Sequence, residues 1–131
     1  MDFFDGYPVK EGFKGDGWEL ENCKLTHEAN PESFEIPSSE EASLVKIGDL
    51  LRLHFTLTGP VEKGVPRAER MWVEVCIIQE NCFYGHLTNE PIAIESLTPG
   101  DVIQFNWSHV AQIYIRRDDP RPPKMPNNHG Q

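Results

Sequence analysis

The sequence predicts a mostly β protein: a single compact domain built on a twisted antiparallel sheet or a small partly open barrel, with one or two short helices. The main observation is a nine-residue pattern that occurs twice. Ile47–Phe55 and Pro99–Trp107 each contain a Gly-Asp turn followed by a strand in which apolar residues alternate. The second observation is an alternating hairpin between the two copies, from Met71 to Leu87. With 131 residues, the chain is long enough to bury one core without disulfide or metal crosslinks.

The segments before the first repeat predict one strand and two short helices. Trp18–Leu25 has the composition of a strand. Asn30, followed directly by a proline, predicts a helix start, and Pro37 limits that helix to about one turn. Ser38-Ser39-Glu40-Glu41 has the spacing of a capping box, so a second short helix is expected to begin there and to end before the first repeat.

The hairpin carries the most informative surface of the predicted sheet. Its turn, Gln79-Glu80-Asn81, predicts a type I turn closed by a bulge at Asn81, which pairs residue 78 with 82 and 76 with 84. Odd positions then form an apolar face that belongs to the core. Even positions form a mixed face, either a binding surface or a second core covered by the N-terminal aromatic residues or a helix. The candidate binding residues on this face are Trp72, Glu74, Tyr84 and His86.

The remaining elements follow from turn chemistry and short alternating runs. Residues 61–69 contain a proline, a glycine and mixed charges, which predicts an exposed loop. Further along, the sequence predicts a short strand at Ile92–Ile94, a type II turn at Thr98–Asp101, one helical turn at Ser108–Val110 and a last strand at Gln112–Arg116.

The predicted organisation has three parts. Residues 1–17 form an aromatic and glycine-rich N-terminal segment, and residues 18–117 form the β-rich core domain. Residues 118–131 contain four prolines and few apolar side chains, so they are expected to form a disordered tail.

Composition excludes several classes of partner. The net charge is −9, from 21 acidic and 12 basic residues, which argues against nucleic-acid binding and favours a basic partner. No run approaches the roughly 20 apolar residues of a membrane helix, and the N-terminus lacks the features of a signal peptide. Three cysteines without framework spacing are expected to be reduced thiols, which predicts a cytoplasmic location.

The sequence predicts neither a metal or cofactor site nor catalysis. Cys23 and His27, like Cys82 and His86, are four residues apart, which in a strand means about 13 Å, too far for one zinc ion. No nucleophile elbow, phosphate loop or His-Glu-x-x-His motif occurs. The catalytic alternative is a histidine base, His86 or His109, acting with Glu74.

Three segments resemble a small bacterial domain family of unknown function. They are Glu69–Val75 (E-R-M-W-V-E-V), Gly85–Pro91 (G-x-L-x-N-x-P) and Leu97–Phe105, with its central Gly-Asp. Gly17–Glu19 and Phe34–Pro37 are similar to the family's upstream segment, so the resemblance covers about residues 17 to 115. It implies a mostly β bacterial cytosolic domain, relatives of which are suspected immunity proteins encoded beside toxins.

The predicted function is a non-catalytic bacterial protein-binding domain, most specifically an immunity-type inhibitor that occludes a toxin. The acidic surface would steer the chain to a basic partner, and Trp72 and Tyr84 would supply the anchoring contacts. The alternative is a β domain that binds a small molecule or a peptide with the same aromatic strip at the mouth of a barrel.

Overall fold

Seven strands form one sheet in the computed structural model, which describes residues 9–11, 16–80 and 82–114. The strands are β1 (Val9–Lys10), β2 (Trp18–Leu20), β3 (Leu50–Leu57), β4 (Ala68–Gln79), β5 (Cys82–Leu87), β6 (Val102–Phe105) and β7 (Val110–Tyr114). The described ranges also contain the helices α1 (Cys23–Ala29) and α2 (Ser39–Ala42) and a 3₁₀ turn at Trp107–His109. None of these helices has the length and apolar character needed to cross a membrane.

The sheet is open and almost entirely antiparallel. Its strand order is β1-β6-β5-β4-β3-β2, and β7 also pairs with β3. β3 therefore has two partners on one side, with β7 along its first half and β2 along its second half. The pairing of β1 with β6 is parallel, and every other pairing is antiparallel. The predicted antiparallel sheet is confirmed, and the seven strands do not close into a barrel.

One face of the sheet carries the hydrophobic core. Both repeats and the hairpin contribute alternating residues to it, as predicted except at Ile77, and the segments that cover the face add Ile94 and Leu97. Its main members are Leu51, Leu53, Phe55, Met71, Val73, Val75, Phe83, Leu87, Ile103 and Phe105. Trp18 of β2 is fully buried against Phe55, with ring centroids 5.2 Å apart. Fully burying each such side chain stabilises the fold by about 1.5–3 kcal/mol before the entropy cost of ordering it.

Three locally encoded features agree with the sequence. The Ser38 hydroxyl accepts a hydrogen bond from the Glu41 backbone N–H, and the Glu41 carboxylate accepts one from the Ser38 N–H, so α2 begins with the predicted capping box. The turn at Thr98–Asp101 is closed by the Asp101 N–H, which donates to the Thr98 carbonyl at 3.1 Å. A 3₁₀ turn precedes β7, where a single helical turn was expected.

The predicted strand over residues 18–25 is wrong beyond Leu20. α1 begins at Cys23 because the Asn22 side chain caps it, accepting a hydrogen bond from the Leu25 N–H at 3.1 Å. Asn30 ends this helix, since its backbone N–H donates to the carbonyls of Thr26 and His27. Its own carbonyl accepts from the N–H groups of Ser33 and Phe34, so the predicted single turn after Asn30 forms as a hydrogen-bonded turn and not as a helix. Cys23 and His27 therefore lie on a helix, and the strand spacing used above does not apply to them.

The predicted hairpin register holds only for the half that is farther from the turn. Val73 pairs with Leu87, and Glu74 with His86, as expected. The register then shifts by one residue at Cys76, so that Ile77 pairs with Tyr84. An extra residue is therefore accommodated within β4, and the predicted bulge at Asn81 lies outside the described residues. As a result Ile77 shares the face of Tyr84, and it does not join the core face as the alternation predicts.

The predicted strand at Ile92–Ile94 is absent, because a side chain takes up its backbone donors. The Glu69 carboxylate accepts hydrogen bonds from the N–H groups of Ile92 and Ala93, at 2.8 and 2.9 Å. Ile94 instead enters the core from a loop. Of the predicted N-terminal segment, Val9–Lys10 lies in the sheet as β1. The last strand begins at Val110, two residues earlier than expected, and the predicted tail at 118–131 lies outside the described residues.

Candidate functional site

The four predicted binding residues lie together on the face of the sheet opposite the core. Glu74 of β4 pairs directly with His86 of β5. Trp72 lies two residues from Glu74 along β4, and Tyr84 lies two residues from His86 along β5, so all four side chains project from the same face. Trp72, Glu74 and Tyr84 are half-buried and His86 is exposed. Among the described residues, this open face is therefore not a second core.

The backbone and ring of Trp72 are held by several contacts. Its N–H donates to the Asn89 side-chain oxygen at 2.6 Å, and its carbonyl accepts from the Thr88 N–H and hydroxyl at 3.0 and 2.9 Å. The Arg52 guanidinium lies over the indole ring, 5.9 Å from the centroid. A cation over a tryptophan face contributes about 0.5–1 kcal/mol at partly exposed sites. Trp72 is thus a fixed aromatic surface.

His86 and Tyr84 present polar groups beside Trp72. The His86 Nδ1 lies 3.1 Å from the Gly100 carbonyl, which can only accept, so Nδ1 carries a proton. The hydrogen bond between the Tyr84 hydroxyl and Cys82, followed by partial burial, raises the pKa of Tyr84, and the phenol stays neutral at physiological pH. The patch therefore combines aromatic area with hydrogen-bonding groups, a composition enriched at protein interfaces.

Sequence reasoning missed Arg52 as a member of this face. It pairs with Trp72 across β3 and β4, and it alternates with the core residues Leu51 and Leu53. The alternation was visible in the sequence, but the pairing of β3 with β4 was needed to place Arg52 beside the aromatic patch.

A second cluster of polar residues lies at the end of the open face that α1 covers. Glu21 follows β2, Cys23 is the first residue of α1 and His54 lies in β3. Their donor atoms all lie within 4.8 Å of one another. The His54 Nδ1 is 3.1 Å from the Glu21 carboxylate, and the Phe34 ring packs edge-on against the imidazole. This cluster could not be found from the sequence alone, since Glu21 and His54 are far apart along the chain.

Burial controls the ionisation of this cluster. Desolvation is the largest influence on His54 and lowers its pKa, and the charges of Arg52 and Arg70 act in the same direction. The bond to Glu21 raises the pKa, but it does not outweigh burial. Desolvation, with the nearby Glu21 charge, raises the pKa of the Cys23 thiol to about 12. In the absence of a further ligand the imidazole and the thiol are both neutral.

An open groove of about 520 Å³ lies away from both clusters, between the loop over residues 59–66 and the segment 92–95. Its apolar lining includes Leu57, Val61, Val65, Pro66 and Ile92. The volume is within the range of about 300–1,000 Å³ that small-molecule sites occupy.

Comparison with known proteins identifies the family. A family model described as an uncharacterized protein conserved in bacteria, DUF2314, matches residues 30–119. No curated protein and no solved structure matches the chain. The match includes α2, all of β3 to β7 and the four residues of the open face, whereas Glu21 and Cys23 precede it. Because it spans well over half of the 131 residues, the chain belongs to the DUF2314 family of uncharacterized bacterial proteins.

Proposed function

We propose that this chain is a non-catalytic protein-binding domain that uses the open face of its sheet to contact a basic partner protein. The observation that carries the proposal is the contiguous patch of Trp72, Glu74, Tyr84 and His86 on that face. An aromatic patch held in place by backbone contacts loses little conformational entropy on binding, so more of the contact energy contributes to affinity.

The charge of the chain favours a basic partner. The net charge of −9 creates a long-range attraction for cationic proteins, which raises the association rate at low salt. The patch carries one carboxylate, that of Glu74, and the Arg52 guanidinium over Trp72 adds a positive charge to the same face. Steering therefore comes from the whole surface, while the aromatic residues provide the short-range contacts.

The most specific form of the proposal is an immunity-type inhibitor. The chain would bind a toxin made by the same bacterium and cover its active site. Blocking access of the substrate to that site is then sufficient for inhibition. We place this activity in the cytoplasm, where the three free cysteines remain reduced.

The test is co-expression of the full chain with each protein encoded beside its gene. Formation of a stable complex with one neighbour, together with restored growth of cells that express that neighbour, supports the proposal. Failure of every neighbour both to bind and to be neutralised overturns it. Glu74→Gln separates catalysis from binding: lost protection with the complex still formed would indicate that this carboxylate acts as a base, and retained protection excludes it as a base.

A second candidate function is binding of a small molecule or a peptide. The predicted location, the mouth of a barrel, is excluded because the sheet is open. The groove over Val61, Val65 and Ile92 provides an alternative location of suitable volume. A thermal-shift screen with metabolites tests this candidate: a hit whose stabilisation is lost in Ile92→Asp and kept in Trp72→Ala favours the groove.

A further inference from the structure

The donor atoms of Glu21, Cys23 and His54, the buried cluster, are brought together by β2, α1 and β3. β2 pairs with β3 through Leu20 and Phe55, and the Glu21 N–H continues this ladder by donating to the His54 carbonyl at 2.9 Å. The chain then turns into α1, whose first residue is Cys23. A carboxylate, a thiol and an imidazole therefore meet because of the sheet register and the start of a helix, which are both well-defined parts of the fold.

The bonding of this cluster is incomplete at His54, whereas the Glu21 carboxylate is bonded at both oxygens, to the Thr26 hydroxyl at 2.5 Å and to His54 Nδ1 at 3.1 Å. His54 is 5% exposed, and its Nε2 is buried without a hydrogen-bond partner. The fully buried Cys23 thiol makes one long contact, 3.5 Å from its sulfur to the His109 carbonyl. An unpaired buried polar atom costs about 1–3 kcal/mol, so an ion bound to Nε2 would remove a cost already present in the fold, whereas an ion bound to Nδ1 would take the place of the contact with Glu21.

The donor set matches one class of ligand. Sulfur, nitrogen and carboxylate oxygen are the atoms that bind zinc-type divalent ions, at about 2.0–2.3 Å. Donors around a tetrahedral ion lie about 3.3–3.8 Å apart at those bond lengths. The present limit of 4.8 Å thus requires a contraction of about 1.5 Å at most. The Glu21 side chain is 31% exposed, which leaves it room to move and gives an ion a path from solvent.

Two positive charges near the cluster oppose long-range attraction of a cation. The Arg52 and Arg70 guanidinium groups lie close enough to act on His54, and they oppose the approach of a cation. Binding must therefore come from bonds to the donors. When the ion binds, it replaces the proton of the Cys23 thiol, which leaves to solvent, so that a thiolate and the Glu21 carboxylate balance the two positive charges of the ion.

We propose that Glu21, Cys23 and His54 form a binding site for a zinc-type divalent ion, with the remaining coordination position open to water. Two of the three donors precede the residues that the family model matches, so the site is a property of this chain and does not depend on the function proposed for the open face. By joining β2, α1 and β3, a bound ion would fix α1 over the end of the sheet.

Titration of the full, chelator-treated chain with Co²⁺, followed by competition with Zn²⁺, tests the site. We expect one Co²⁺ per chain and a thiolate-to-cobalt charge-transfer absorption that Zn²⁺ abolishes. Cys23→Ser removes this absorption, whereas the matched control Cys82→Ser keeps it. Since Cys23→Ser changes a fully buried position, Glu21→Gln at a partly exposed position provides a second variant. It is expected to keep the absorption and to weaken Zn²⁺ affinity about tenfold or more.

Three results would overturn the proposal. The first is a wild-type chain without charge-transfer absorption at saturating Co²⁺. The second is an absorption that persists in Cys23→Ser, which would place the thiolate ligand elsewhere. The third is an affinity for Zn²⁺ that is the same in wild type and Glu21→Gln and falls instead in His86→Gln, which would mean binding at the surface.

Discussion

Asp49 and Asp101 close two turns of the same kind, one before β3 and the other before β6. In each turn the carboxylate accepts a hydrogen bond at 2.9 Å from the backbone N–H three residues earlier. The aspartate's own N–H donates back to the carbonyl of that earlier residue, at 3.0 Å for Asp49 and 3.1 Å for Asp101. The preceding glycines have φ of 98° and 94°, in the left-handed region that other residues rarely adopt. The repeat in the sequence is therefore a repeat of turn chemistry.

The Asp49 carboxylate should contribute more to stability than that of Asp101. Asp49 is 3% exposed, whereas the Asp101 side chain is 22% exposed and water can replace it. We expect Asp49→Ala to lower the free energy of unfolding by about 1–3 kcal/mol, because the Lys46 N–H loses its partner. Asp101→Ala should cost less. Urea denaturation of both variants measures the difference, and a larger loss for Asp101→Ala would contradict this account.

Gly85 is required for close packing between β4 and β5. A Cβ atom at this position would lie 2.9 Å from Val73 Cγ2 and 3.1 Å from the Glu74 carbonyl oxygen, both within the sheet. We expect Gly85→Ala to lower the free energy of unfolding by about 1–3 kcal/mol. In the double variant Gly85→Ala with Val73→Ala the two losses should be less than additive. Strict additivity would mean that the contact with Val73 is not the cause.

The stability of the metal-free protein should fall as the pH is lowered through the range where His54 titrates. Burial lowers the folded-state pKa of His54 below its ordinary value, about 6.5, so the unfolded chain binds this proton first. Stability from this residue is complete above about pH 6.5 and is lost as the pH falls toward the folded-state pKa. His54→Gln should flatten the profile between about pH 7.5 and 5 in chelator, and the exposed His86→Gln should not. An unchanged slope in His54→Gln would contradict the assignment.

The three thiols should differ in their reaction with iodoacetamide. Cys23 is fully buried and burial raises the pKa of its thiol to about 12, so it should remain unmodified at about pH 8 until the chain unfolds. Cys76 and Cys82 are half-buried and should be modified earlier. Peptide mass spectrometry at timed intervals in chelator gives the order directly. Modification of Cys23 in the native protein before Cys82 would mean that α1 opens readily.

Local chemistry explains why much of the fold was predictable. The Gly-Asp turns, the capping box at Ser38 and the alternation within β3 and β4 depend on residues that are close in the sequence. The antiparallel sheet and its apolar face follow from these patterns. The face of Trp72 and His86 was predictable for the same reason, because a strand alternates regardless of its partners.

The errors have tertiary causes. The residues from Trp18 to Leu25 alternate well enough for a strand. The Asn22 cap and the burial of Cys23, the first residue of α1, nevertheless favour a helix. The register shift at Cys76 has no local pattern that distinguishes it from a longer turn. The contact of Glu21 with His54 depends on the pairing of β2 with β3, which the sequence does not specify by itself.

The central claim is that the open face of the sheet binds the partner, and calorimetric titration of the captured partner tests it most directly. Three folded variants are compared with wild type: Trp72→Ala and Tyr84→Ala on the open face, and Ile92→Ala in the groove, where the side chain is 85% exposed. We predict that each open-face variant weakens binding about tenfold or more, and that Ile92→Ala leaves it unchanged. Wild-type affinity in Trp72→Ala and Tyr84→Ala, with a loss in Ile92→Ala, would contradict the claim.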